Sequence, residues 1–165
     1  MPKIAIRENG FVYLRVYIKH NFQVQPEYFN FIVDSGATCT TIDKKALRLL
    51  GYDDNWIIEN GSLREGNRRP STATGEIIDD CYEIKLPAVR IGKWTSNYWR
   101  FLVRLCDDDT KQFNLLFGTD SMKFFTWFFD YENGYCEYNG IVNKKHTTFD
   151  VDEQFIQSID EEVKS

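Results

Sequence analysis

One stretch constrains the fold of this chain more than any other: Phe31-Ile32-Val33-Asp34-Ser35-Gly36-Ala37-Thr38-Cys39-Thr40. Three apolar residues read as the end of a buried strand, and they deliver a carboxylate directly to its tip. A small hydroxyl residue follows, then a glycine, which allows backbone geometry and close approach that other residues resist. The pattern predicts a carboxylate held at the base of a cleft, with hydroxyls near enough to bond it. Asp-Ser-Gly alone would be an ordinary turn after a strand; the specificity lies in the whole string.

The rest of the chain gives that strand an all-β setting. Phe, Tyr and Trp make up 16% of 165 residues, and such residues suit pleated, half-buried surfaces. The aromatics read as core packing, or as a groove that grips apolar side chains. Lys3 to Arg7 is extended, and Glu8-Asn9-Gly10 turns the chain into the β-forming run Phe11 to Ile18. Tyr28 to Val33 is a second strand. Thr41 to Leu50 predicts a short helix, capped by Thr41 or Asp43 and stopped by Gly51. Residues 59–75 read as an exposed polar loop or a mobile hairpin. Ile77 to Val89 and Tyr98 to Leu105 return to strand character, and Phe113 to Phe117 is a buried strand ending at Gly118. Asp120 to Phe125 fits one or two helical turns. Trp127 to Tyr131 and Tyr135 to Tyr138 flank Glu132-Asn133-Gly134, a second Asn-Gly hairpin.

Length and charge bound the class. A chain of 165 residues builds one core, expected over residues 1–140. Residues 141–165 form an acidic extension with six acidic and three basic residues. Phe155, Ile156, Ile159 and Val163 fall there at helical spacing, which predicts one amphipathic helix. That helix would pack on its own domain or serve a partner; disorder is the third reading. The net charge of −5 argues against general nucleic-acid affinity. No apolar run is long enough to span a membrane, and the N-terminus has no apolar signal core. The cytosol is the expected compartment. Cys39, Cys81, Cys106 and Cys136 have no C-x-x-C pairing, so free thiols are expected rather than a zinc site.

The central string resembles the signature of the retroviral-type aspartic proteases, the retropepsins, and of their bacterial relatives. That signature is an apolar run followed by Asp-Thr/Ser-Gly-Ala-x-x-Thr/Ser, matched here from Asp34 to Thr40. A second signature, two apolar residues and a glycine opening a short helix, is matched by Leu116-Phe117-Gly118-Thr119-Asp120 about 80 residues later. Thr72-Ala73-Thr74-Gly75 sits where the family carries its flap. Ile91-Gly92 and the strand Phe101-Leu102-Val103 are also similar, and the likeness runs from about Val12 to Tyr138. It implies a small, closed, barrel-like all-β fold with one or two short helices and one lobe per chain.

The resemblance also implies a reaction. Two carboxylates ~3 Å apart cannot both ionise, so they share a proton. The ionised one takes a proton from water as general base, and the protonated one bonds the peptide carbonyl as general acid. This chain has one Asp-Ser-Gly, and no glycine follows Ser121, so the second aspartate must come from a second subunit. The implied enzyme is a homodimer joined through its active site, with a polypeptide substrate. Asp34 is its catalytic residue; Ser35, Gly36, Ala37 and Thr40 support the active-site loop. Terminal strands of both subunits build the family's dimer sheet. No cofactor and no metal are implied.

Other readings are weaker. A serine nucleophile needs a histidine base, and His20 lies only 15 residues before Ser35, too close for the preceding domain that trypsin-like enzymes carry. Asp53-Asp54, Asp79-Asp80 and Asp107 to Asp109 have no EF-hand spacing and read as solvated turns. Arg64, Arg68 and Arg69 read as solvated surface, or as a cluster that steers acidic substrates. The competing class is a catalytically silent module of the same fold that dimerises or binds peptides.

Overall fold

The structure is a computed structural model that describes residues 2–19, 26–140 and 156–158. Strand β1 (Lys3–Ala5) leads to β2 (Tyr13–Lys19), which pairs antiparallel with β3 (Pro26–Val33) along its length. In β2 the side chains alternate: Leu14, Val16 and Ile18 are buried, while Arg15 and Lys19 face solvent. Helices α1 (Lys44–Leu49) and α2 (Asp54–Asn60) follow, then the short β4 (Ser62–Leu63). Next comes a long hairpin of β5 (Cys81–Ile91) and β6 (Trp94–Arg104), turned at Gly92. Strand β7 (Leu116–Phe117), helix α3 (Thr119–Met122), β8 (Phe125–Asp130), β9 (Tyr135–Gly140) and β10 (Ile156–Ser158) complete the order.

The strands form two sheets. One has the order β1-β9-β8, the other β10-β6-β5-β2-β3-β7 with β4 on β5. Two features curl the larger sheet. The β5–β6 hairpin buries Ile84 and Leu86 opposite Phe101 and Trp99 at one end. At the other it buries Val89 and Ile91 opposite Ser96 and Trp94. The buried parity therefore switches near Pro87, so the hairpin turns both ends toward the core. The second feature is Thr41, which bridges Leu102 of β6 on one side and Leu116 of β7 on the other. Ile42 N–H donates to Leu102 O at 2.9 Å and Thr41 N–H to Leu116 O at 2.9 Å, bringing the strand path from β7 back to β6.

Aromatic rings fill the enclosed space. Trp99 stacks on Phe117 at 6.2 Å and meets Phe124 edge-on at 5.4 Å, while Phe31 and Phe101 lie 5.8 Å apart. All four cysteines are free. Among the described residues no helix is long and apolar enough to cross a membrane.

Several local expectations change. Helix α1 is capped by Asp43, whose carboxylate accepts from Ala46 N–H at 2.7 Å, so Thr41 is free to act as the bridge. Asp53 and Asp54 are not a solvated turn: Asp53 caps α2 and Asp54 bonds the buried Lys44 ammonium at 3.0 Å. Asp80 likewise accepts from Arg104 Nε at 2.9 Å and from Cys106 N–H at 3.0 Å. Strand β5 begins at Cys81 rather than Ile77, and α3 ends at Met122. Ile156–Ser158 is extended and pairs with Trp94–Ser96, where the apolar spacing predicts a helix; a strand at the β6 edge gains backbone partners. The rest of the 141–165 extension, and His20 and His146, lie outside the described residues.

Trp99 fills the centre of the core and is 1% exposed. Trp99→Ala is expected to lower stability by about 3–5 kcal/mol, read as a drop in the urea midpoint with little change in slope.

Candidate active site

Asp34 follows β3 without an intervening turn. Its own N–H donates to Phe117 O at 3.1 Å, because β7 runs parallel to the end of β3. Ala37 N–H donates to Asp34 O at 3.2 Å and closes the loop. Gly36 N–H donates to Asp34 Oδ1 at 2.9 Å, fixing the orientation of the carboxylate. A Cβ on Gly36 would lie 3.1 Å from that oxygen, so the glycine also permits the approach. Asp34 is half-buried and Ser35 beside it is exposed.

The loop is tied from behind to the Gly118 turn. Thr119 N–H donates to Ala37 O at 2.8 Å and Asp120 N–H to Thr38 O at 3.3 Å. The buried Thr40 hydroxyl donates to Asp120 Oδ1 at 2.7 Å and accepts from Gly118 N–H at 3.1 Å. It also bonds the Ser121 hydroxyl, which accepts from Trp99 Nε1 at 2.7 Å. Gly118 is required by space rather than by its φ. An added Cβ would sit 2.5 Å from Cys39 O and 2.8 Å from Ala37 O, backbone atoms that cannot swing aside. Burial pushes the Asp120 carboxyl above its ordinary 3.8, against the opposing pull of the Thr40 hydrogen bond. Burial likewise pushes the Cys39 thiol up, so at neutral pH it is protonated.

A cavity of about 740 Å³ opens over Asp34. Thr72 and Ala73 also line it, on a tight turn held by Thr72 N–H to Glu76 O at 2.8 Å and Gly75 N–H to Thr72 O at 2.9 Å. Gly75 takes φ +89°, a left-handed conformation that glycine adopts without strain. Thr74 and Gly75 shape this turn but do not line the cavity. Gly36, Ala37 and Leu116 do line it; Thr40, Phe117, Gly118 and Asp120 stand behind the wall. Cys39, Thr41, Ile78, Leu102 and Phe113 line it too, and of these Thr41, Ile78 and Phe113 fall outside every sequence motif. Alternation along β6 could have singled out Leu102, the residue that faces away from the main core. The far wall, residues 110–114, is pinned by Gln112, which donates to Arg104 O and Cys106 O and accepts from Lys44 N–H.

Two of the three arginines before the turn are paired. Arg64 meets Glu83 at 2.7 Å and Arg69 meets Asp79. Among the described residues, no three His, Cys, Asp or Glu side chains gather in a way that would hold a metal ion.

No family model matches the sequence, and no curated protein matches it. Among solved structures, the chain is similar to a retropepsin-like aspartic protease from Rickettsia conorii, at 21% sequence identity and a TM-score of 0.54. The match covers 82% of this chain and 87% of that chain. The fold is therefore retropepsin-like.

Two outcomes follow for this framework. Gly118→Ala is expected to cost about 1–3 kcal/mol in chemical denaturation, since backbone must move to admit the methyl group. Asp120→Asn keeps an acceptor for Thr40 and removes the titration. Because the folded value of Asp120 is raised, the folded state holds its proton more tightly than the unfolded chain does. The wild type should therefore lose stability relative to Asp120→Asn as pH rises from the ordinary 3.8 through the raised value. Paired urea titrations across that interval would show it.

Proposed function

We propose that the chain is an aspartic endopeptidase acting as a twofold homodimer, with Asp34 of each protomer forming a shared dyad. The observation that carries this reading is the position of Asp34. Asp34, its carboxylate oriented by Gly36, lines a large cavity that Thr72 and Ala73 also line, on a retropepsin-like fold. The Oδ1 atom already accepts from Gly36, and no described residue donates to Oδ2. That leaves one oxygen to meet the mate, the water and the substrate carbonyl.

The chemistry follows from like charge at short range. One proton shared by two aspartates gives a base and an acid in one site, and their titration belongs to the pair. The base accepts a proton from water as the oxygen attacks the peptide carbon, and the acid donates to the carbonyl oxygen. No covalent enzyme intermediate forms. The Thr72–Gly75 turn would close over an extended peptide as a flap, adding strand-like hydrogen bonds and excluding water. Ser35, exposed beside Asp34, would brace the two loops across the axis.

The three-stranded sheet supports a dimer reading. Within it β9 is central, and β1 and β8 are its two edges. Phe128 on β8 is 56% exposed and Tyr131 just beyond it 70% exposed. β8 carries neither lysine nor proline to block pairing. An isologous β8–β8 contact would continue the sheet across the twofold and cover these rings.

Incubation with unfolded polypeptides from acidic to neutral pH should yield cleavage that falls at least about 100-fold in Asp34→Asn, the scale of a lost acid or base. Equal cleavage by both proteins would remove Asp34 from the reaction. No cleavage by either, with the dimer intact, would favour the peptide-binding module.

A further inference from the structure

The outward face of β2, β3 and β5 carries a second candidate site, and none of its residues lines the cleft. Tyr13, Arg15, Tyr17 and Lys19 are the outward positions of β2. Register places Asn30 beside Arg15, and Tyr28 and Arg90 on either side of Tyr17. The result is an alternation of rings and cations. The Arg15 guanidinium lies 4.4 Å above the Tyr28 ring, Arg90 lies 4.2 Å above Tyr17, and the two rings are 5.7 Å apart. Arg7 extends the strip over Tyr13 at 6.0 Å.

Many cations of the chain are neutralised: Lys3, Lys44, Lys45, Arg48, Arg64, Arg69 and Arg104 all meet carboxylates. Among the described residues no carboxylate pairs with Arg7, Arg15, Lys19 or Arg90. The Nε of Arg90 is buried without a hydrogen-bond partner. The acidic balance of the chain does not oppose this patch: three of the five net negative charges lie in residues 141–165.

We infer that this face binds single-stranded nucleic acid. Guanidinium and ammonium groups neutralise phosphates, and tyrosine rings at neighbouring register positions offer surfaces on which unpaired bases stack. Tyr28 is 49% exposed, with Arg15 over its ring and Tyr17 beside it, so part of the ring remains accessible. An acidic peptide would use the cations but has no flat groups for the rings. A duplex keeps its bases stacked on each other and unavailable to tyrosine.

Fluorescence anisotropy of the full chain with a labelled oligo-dT tests the inference. Saturable binding is expected at ~50 mM salt, with log K falling against log salt at a slope of about −2 to −3, as about −0.7 per contacted phosphate on a single strand requires. Tyr28→Ala should weaken binding at least about fivefold without changing the slope. Arg15→Gln should weaken binding and reduce the slope by about 0.7. Both side chains stand on the sheet surface, and circular dichroism verifies that the variants fold. Absence of saturable binding would overturn the inference. So would polyglutamate competing as well as the oligonucleotide while Tyr28→Ala binds normally, because charge alone would then explain the face. Neither outcome depends on proteolysis.

Discussion

The buried hydroxyl of Thr40 joins the two halves of the site. It can satisfy all its neighbours in one arrangement. Its proton goes to Asp120, and its lone pairs accept from Gly118 N–H and Ser121 O–H. Ser121 in turn accepts from Trp99 Nε1, which anchors the network in the aromatic core. Buried polar groups are costly when unpaired, so a network complete at every atom favours one geometry strongly over its alternatives. The Asp34 loop and the Gly118 turn are thereby locked together although about 80 residues separate them, and the Cβ-free surface of Gly118 lets their backbones meet.

The larger sheet turns that local lock into a cleft. Thr41, one residue after Thr40, carries the strand path from β7 back to β6. The same peptide segment thus lines the cavity and links β7 to β6. The β5–β6 hairpin changes its buried face near Pro87, which bends its far end over the rings while its near end supplies Leu102 to the cavity wall. Asp34 is held by backbone on a parallel strand pair, so its position does not depend on flexible side chains.

Much of this was legible in the sequence because it rests on short-range chemistry. Asn-Gly marks the turn before β9, alternation marks β2, and an apolar run ending in Asp-Ser-Gly marks the carboxylate. The matching glycine at 118 was legible through a resemblance rather than through spacing. What stayed hidden depends on distant partners. Helix α2 was masked by a polar stretch, since Ile57 is its one buried residue and Asp53 its cap. The acidic pairs read as solvated because Lys44 and Arg104, their partners, are remote in sequence. Ile78 and Phe113 belong to no motif, so much of the cavity wall emerged only from the fold. The Arg–Tyr pairing across β2, β3 and β5 likewise requires the register.

In the proposed enzyme, one catalytic centre needs two chains. Calorimetric titration with a peptide bearing a non-cleavable hydroxyl at the scissile carbon measures this directly. The account predicts one peptide bound per two chains, in a complex with the mass of a dimer. One peptide per chain, bound to a monomer, would contradict it.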